Sequence, residues 1–149
     1  MVCGTVKMRI VNEPLLASLR TPGRCEWCKR PCRAREVAHI RAKGLGSGGR
    51  YDVRINLVSL GIGLWSGEAA CHCHSEHHAG HEPTRIDLLA VVAAREDVMQ
   101  DEIEAVMDLL ARLPKRPRQA QIDAGLEELT GSAQRLWHRT WREIPDECK

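Results

Sequence analysis

The chain has 149 residues, enough for one ordinary domain or a small domain with a helical appendage. With 43% hydrophobic residues it is no disordered protein. With 3% aromatics and no Phe, its core must come from aliphatic helices or a metal staple. The net charge is only +2 but unevenly spread: residues 20–54 carry ten Lys/Arg against three acids, while residues 96–108 carry six acids and no base. A basic half beside an acidic half suggests a polyanion-binding surface on the first half.

No apolar run approaches the roughly 18 residues that span a bilayer, so no membrane partner is expected. Residues 1–13 lack the apolar stretch of a secretory signal, and the chain reads as cytoplasmic. In that reducing compartment seven cysteines point to metal ligation rather than disulfides.

In chain order, Leu15 to Arg20 reads as a short helix closed by Pro22-Gly23, followed at once by the knuckle Cys25-Glu26-Trp27-Cys28. Glu36 to Ile40 and Asn56 to Leu60 are short strands flanking a Gly-rich basic loop. The run from Cys71-His72-Cys73-His74 begins a helix that stops before Pro83. Thr84, with Asp87 three residues on, has the form of a capping box. Ile86, Leu89, Ala90 and Ala93 share one face of the helix it starts. Ile103, Val106, Met107 and Leu110 repeat with helical spacing in the next. Leu113 to Arg118 is a basic, proline-broken linker. Two short helices follow, around Ile122 to Leu129 and Ala133 to Arg142, separated by Gly131 with Ser132 as cap. Trp137 and Trp141, one turn apart, form a small core or docking patch.

Three chemical features stand in order: a Cys-x-x-Cys, a His in a short strand, and a Cys-His-x-x-x-His. Zinc takes tetrahedral thiolate and imidazole ligands, and a two-residue knuckle brings both sulfurs to one ion. The favoured structural zinc set is Cys25, Cys28, Cys71 and Cys73, with Cys32 or His72 as alternatives to Cys71. Cys3 and Cys148 stand alone near the termini and carry no metal assignment. His74 and His78 are four apart and could share a divalent metal on one helix face; so could His77 and His81. Spacing does not choose between them.

Residues 24–82 resemble the HNH endonuclease family (ββα-metal nucleases), in the variant common in phage and bacterial genomes. The resemblance rests on Cys25-Glu26-Trp27-Cys28, Val37-Ala38-His39-Ile40, Lys43-Gly44-Leu45-Gly46 with Gly48-Gly49-Arg50, Asn56-Leu57-Val58-Ser59-Leu60 and Cys73-His74-Ser75-Glu76-His77-His78-Ala79-Gly80. It implies an α+β fold: a small zinc-stapled ββα-metal core with flanking and C-terminal helices. The expected segments are residues 1–23, an N-terminal piece with a short helix; 24–82, the nuclease domain; and 83–149, a helical region. It further implies His39 as general base, Asn56 as the residue that fixes the loop behind it, and His74 and His78 as ligands of a catalytic divalent metal, Mg²⁺, Mn²⁺ or Zn²⁺. The chain departs from the family twice. Ala38 stands where many members carry a metal ligand, and Gly61 stands where the first cysteine of the second zinc pair is usual.

The expected function is therefore metal-dependent hydrolysis of DNA phosphodiesters. A His that is basic near neutral pH can take a proton from water, and Arg41, Lys43, Arg50 and Arg54 would hold flanking phosphates. Alternatives are a non-catalytic zinc-knuckle DNA-binding module, or a nuclease acting on RNA or branched DNA. The C-terminal helices either pack on the nuclease or form a homodimer contact.

Overall fold

A computed structural model of the protein describes residues 6–42, 49–63 and 71–149. Among these residues the fold is mixed α+β, with six α-helices and two small antiparallel sheets. Helix α1 (Glu13–Leu19) starts at Asn12, whose Oδ1 accepts from Leu15 N, and carries Pro14 in its first turn, where no amide is needed. Strands β1 (Gly23–Arg24) and β2 (Pro31–Cys32) pair across the Cys25–Cys28 knuckle. The turn closes through Lys29 in the left-handed region (φ 66°), and Cys25 N donates to Arg30 O.

Strand β3 (Arg35–His39) pairs with β4 (Leu57–Gly61), Arg35 opposite Gly61 and His39 opposite Leu57. Asn56 closes a 3-10 turn just before β4, so this register sets it beside the exit of β3. All five β4 residues are buried, because the strand lies between layers. On one side Leu57 and Val37 pack with Leu16 of α1; on the other Val58 and Leu60 enter the large core. Helix α2 (Cys73–His78) contacts both strands.

Helices α3 (Arg85–Glu96), α4 (Gln100–Arg112), α5 (Gln119–Leu126) and α6 (Gly131–Glu143) complete the chain. Helix α3 packs on β4 and α4, and α4 packs on α6. The Thr84–Asp87 capping box forms as expected, and Ile103, Val106, Met107 and Leu110 are buried on α4. Two local expectations are corrected. The buried face of α3 is Leu88, Leu89 and Val92, while Ile86 is exposed: contact with β4 and α4 selects the stripe with larger side chains over Ala90 and Ala93. Helix α6 is capped by Thr130, whose hydroxyl accepts from Ala133 N, and Gly131 lies inside it.

One large apolar cluster includes Met8 and Ile10, Val58 and Leu60, the α3–α4 faces, and Trp137 and Ile144. The three expected segments thus share a single core. Trp137 is its largest fully buried side chain and stacks on Trp141 with ring centroids 5.3 Å apart. Trp137→Ala is expected to cost about 3–5 kcal/mol, read as a lowered urea midpoint.

Candidate functional site

The knuckle and the start of α2 meet at four sulfurs. Those of Cys25, Cys28, Cys71 and Cys73 all lie within 4.8 Å of one another. A tetrahedral zinc with Zn–S of about 2.3 Å needs sulfurs about 3.8 Å apart, which fits that bound. The donor set matches too. Burial pushes the Cys71 thiol up to about 12, and burial with the nearby Cys25 charge pushes Cys73 well above the ordinary thiol range. Burial also works against Cys25, but the backbone amides of Cys28, Gly61 and Trp27 outweigh it and hold its thiol low. A divalent cation is what allows four thiols packed this closely to ionise together. The cluster could therefore hold a metal ion such as zinc.

Gly61 and Cys71 are linked by geometry. A Cβ on Gly61 would overlap the sulfurs of Cys71 and Cys32, so the space of a side chain at the end of β4 is filled by sulfur from elsewhere. Cys32 Sγ lies 3.6 Å from Cys71 Sγ, beside the group of four rather than in it. His72 stands against Gly63. Cys3 lies outside the described residues, and Cys148 Sγ faces Val11 O.

Helix α2 begins at Cys73, so the thiol cluster sets the position of His74 directly. His74 and His78 bring their Nε2 atoms to 3.2 Å. Two imidazoles sharing one ion at about 2.05 Å in tetrahedral geometry need a separation of about 3.3 Å. Burial first, and then the charge of His78, keep His74 below the usual imidazole range, in the neutral form a metal needs. The other pair is engaged elsewhere: His77 Nδ1 lies 2.7 Å from Pro83 O, and His81 Nδ1 lies 2.8 Å from Glu76.

A cleft of about 530 Å³ runs between β3 and α2, lined by Arg20, Glu36, Val37, His39, His74 and His78 among others. Two buried polar residues support His39 from behind. Asn56 accepts from Arg41 N (2.8 Å) and donates to Tyr51 O (3.0 Å) and Arg41 O (3.3 Å), tying both ends of the intervening loop together. Asp52, fully buried, places Oδ1 2.8 Å from His39 Nε2 and also accepts from Arg50 and Asn12 N. Burial alone would raise the Asp52 carboxyl; the bonds from Arg50, His39 and Asn12 outweigh it and hold the group below its ordinary value. Sequence reasoning counted Asp52 only as one acid in a basic segment. Its place in an Arg-x-Asp ahead of Asn56 was the available signal.

Three of the four basic residues expected at flanking phosphates form ion pairs within the chain. Arg41 is held by Glu104 (2.9 Å) and Asp108 (2.6 Å) of α4, Arg50 by Asp52 (2.8 Å) and Glu13 (3.2 Å), and Arg54 by Glu26 (2.7 Å). Lys43 lies outside the described residues. Ala38 is buried in the core with Val58, and Glu36, paired with Arg20 at 2.6 Å, is a carboxylate that lines the cleft.

Among the described residues no helix is long and apolar enough to cross a membrane. No family model, no curated protein and no solved structure matches this chain.

The purified protein is expected to carry about one zinc per chain, measured by elemental analysis after mild chelation. Cys25→Ser should lose the metal and unfold, whereas Cys32→Ser should keep it.

Proposed function

We propose that the chain is a metal-dependent DNA endonuclease of the HNH (ββα-metal) type. The observation that carries this reading is the cleft in which His39 on β3 faces the His74/His78 pair on α2. The strand pair, the helix against it and the thiol cluster at its base are the parts such a core requires, and the chain's zinc-knuckle residues supply the staple.

The work of the protein residues follows from their contacts. His39 takes the proton from an attacking water, a contribution typically of about 10²–10⁴-fold. Asp52 on Nε2 favours the tautomer protonated there and stabilises the imidazolium formed when the proton is taken. Asn56 holds the backbone on either side of the base, so the imidazole does not swing away from the scissile phosphate. His74 and His78 would hold the divalent metal, which when bound supplies charge stabilisation at the phosphate and the leaving 3′-oxygen. The products are 5′-phosphate and 3′-hydroxyl ends. Exposed Arg20 and His78 in its lining bring the cleft to the protein surface, which suits a polymer that is cut internally.

With Mg²⁺ or Mn²⁺ the wild type should nick supercoiled plasmid. His39→Ala should lose about 10²–10⁴-fold in rate while binding DNA normally. His74→Ala and His78→Ala should lose activity that excess metal partly restores, whereas His77→Ala and His81→Ala should cut normally. A His39→Ala protein as active as wild type refutes the assignment. A wild type that binds DNA and never cuts makes the chain a zinc-knuckle binding module instead.

The Asp52 role has its own readout. The wild-type rate falls at low pH as His39 takes a proton, and Asp52 opposes that charge with a carboxylate. Asp52→Asn removes the facing charge, so the acid limb of the pH–rate profile should move to lower pH as the maximum rate falls. A lower maximum with an unmoved limb leaves Asp52 a purely structural group.

A further inference from the structure

We propose that the outer face of the β1–β2 knuckle is a phosphate-binding surface for duplex DNA, formed by Arg24, Lys29, Arg30, Arg33 and Arg35. The choice of DNA as the ligand rests on the nuclease reading above. Arg24, Lys29, Arg30 and Arg33 are exposed and Arg35 is half-buried, all within one short stretch around the hairpin.

Their charge is not neutralised by the described residues. Among the described residues none of the five pairs with a carboxylate. Arg24 donates to Lys29 O (2.8 Å), Lys29 to Glu26 O (2.6 Å), and Arg35 to Thr21 O (2.7 Å) and Arg24 O (3.0 Å). Bonds to backbone carbonyls fix where a cation sits and leave its full charge outward. The contrast with Arg41, Arg50 and Arg54, each locked to an acid, is sharp. The one acid of the hairpin, Glu26, turns inward to Arg54, Arg95 and Ser59 N.

A zinc held by the cysteines beneath would not cancel the patch. Zinc with four thiolates carries a net charge of about −2, so five cations leave the knuckle clearly positive. The placement also suits one continuous strand of DNA. Strand β3 runs from Arg35 at the knuckle to His39 in the cleft, about 13 Å at 3.3 Å per residue. That equals about four base-pair steps of 3.4 Å along a duplex. Arg20, beside Glu36 in the cleft wall, lies between the two. A backbone bound at the knuckle would thus lead toward His39, and phosphates held this way position the strand without reading its sequence.

The test is anisotropy of a labelled DNA duplex titrated with the zinc-loaded full chain over a range of salt, without Mg²⁺ or Mn²⁺, with zinc content measured for each protein. In Arg30→Gln/Arg33→Gln and Arg24→Gln/Lys29→Gln the slope of log K against log salt should flatten by about 0.9 for each phosphate that is no longer neutralised, equivalent to about eightfold weaker binding per phosphate at 0.1 M salt. Arg30→Lys/Arg33→Lys should restore the wild-type slope, and Arg41→Gln should leave it unchanged. Wild-type slopes in both Gln pairs overturn the proposal. So does zinc loss without a change of slope, which would make the patch a counter-charge for the thiolates, and so does an effect seen with duplex RNA alone. Knuckle-dependent DNA binding by a protein that never nicks plasmid upholds this surface and sinks the nuclease reading. Nicking and salt slopes unaltered in the Gln pairs sink this surface and leave the nuclease reading standing.

Discussion

The four-sulfur junction is the constraint on which the remaining geometry depends. Cys25 and Cys28 belong to a two-strand hairpin too small to bury a core, and Cys73 is the first residue of a six-residue helix. Neither element is stable alone: a hairpin of this size and a helix of under two turns are both marginal in water. Joined at one point, they hold each other. Because His74 follows Cys73, and His78 lies one turn on, the junction also decides where the two imidazoles stand against β3. Glu26 adds a second tie inside the knuckle. Its carboxylate accepts from Arg54, Arg95 and Ser59 N, so the hairpin is anchored to β4 and α3 by charge as well as sulfur.

The second constraint is the register of β3 with β4. Pairing His39 with Leu57 places Asn56 where its amide reaches Arg41 and Tyr51, and places Asp52 behind the imidazole. A slip of one residue would turn His39 into the core and Ala38 toward the cleft. The register is protected on both faces, by Val37 and Leu57 against α1 and by Val58 and Leu60 in the main core. The N-terminal segment reinforces it from outside the hairpin, since Asn12 N donates to Asp52 and Ile10 bridges to Tyr51.

Much of this was legible in the sequence where the signal is local. Helical spacing identified the buried stripe of α4, Thr84 and Asp87 identified a helix start, and short segments flanking a Gly-rich loop identified both β3 and β4. The cysteine group was legible because a Cys-x-x-Cys knuckle with a second cysteine pair further on has the residue types and grouping of a zinc site. What escaped depends on contacts across the fold. The buried face of α3 was misread because Ile86 is as apolar as Leu88, and only the neighbours β4 and α4 decide which one turns inward. The α6 cap was placed two residues late because Thr130 and Ser132 are both good caps. Asp52 escapes because a buried acid is recognised by what surrounds it, and beyond the neighbouring Arg50 its partners His39 and Asn12 come from separate stretches of chain.

The arginines show the same limit most clearly, and they change the electrostatic picture. From the sequence, the basic first half and the acidic run of α4 look like separate surfaces, one for a polyanion and one repelling it. In the fold they meet. Glu104 bridges Arg41 and Arg85, and Asp108 closes on Arg41, so much of the apparent conflict is settled by pairing within the chain. Pairing of this kind removes a cation from the pool that can release counterions on binding DNA, however basic its neighbourhood looks in sequence. It also sorts the described Lys/Arg of this segment by role. Arg41, Arg50 and Arg54 are held by acids, while Arg24, Lys29 and Arg35 on the knuckle are held by carbonyls and keep their charge. Net charge by segment therefore measures how many cations are present. Which of them face outward with charge intact is decided by where the acids, Glu26, Asp52 and Glu104 above all, have been placed.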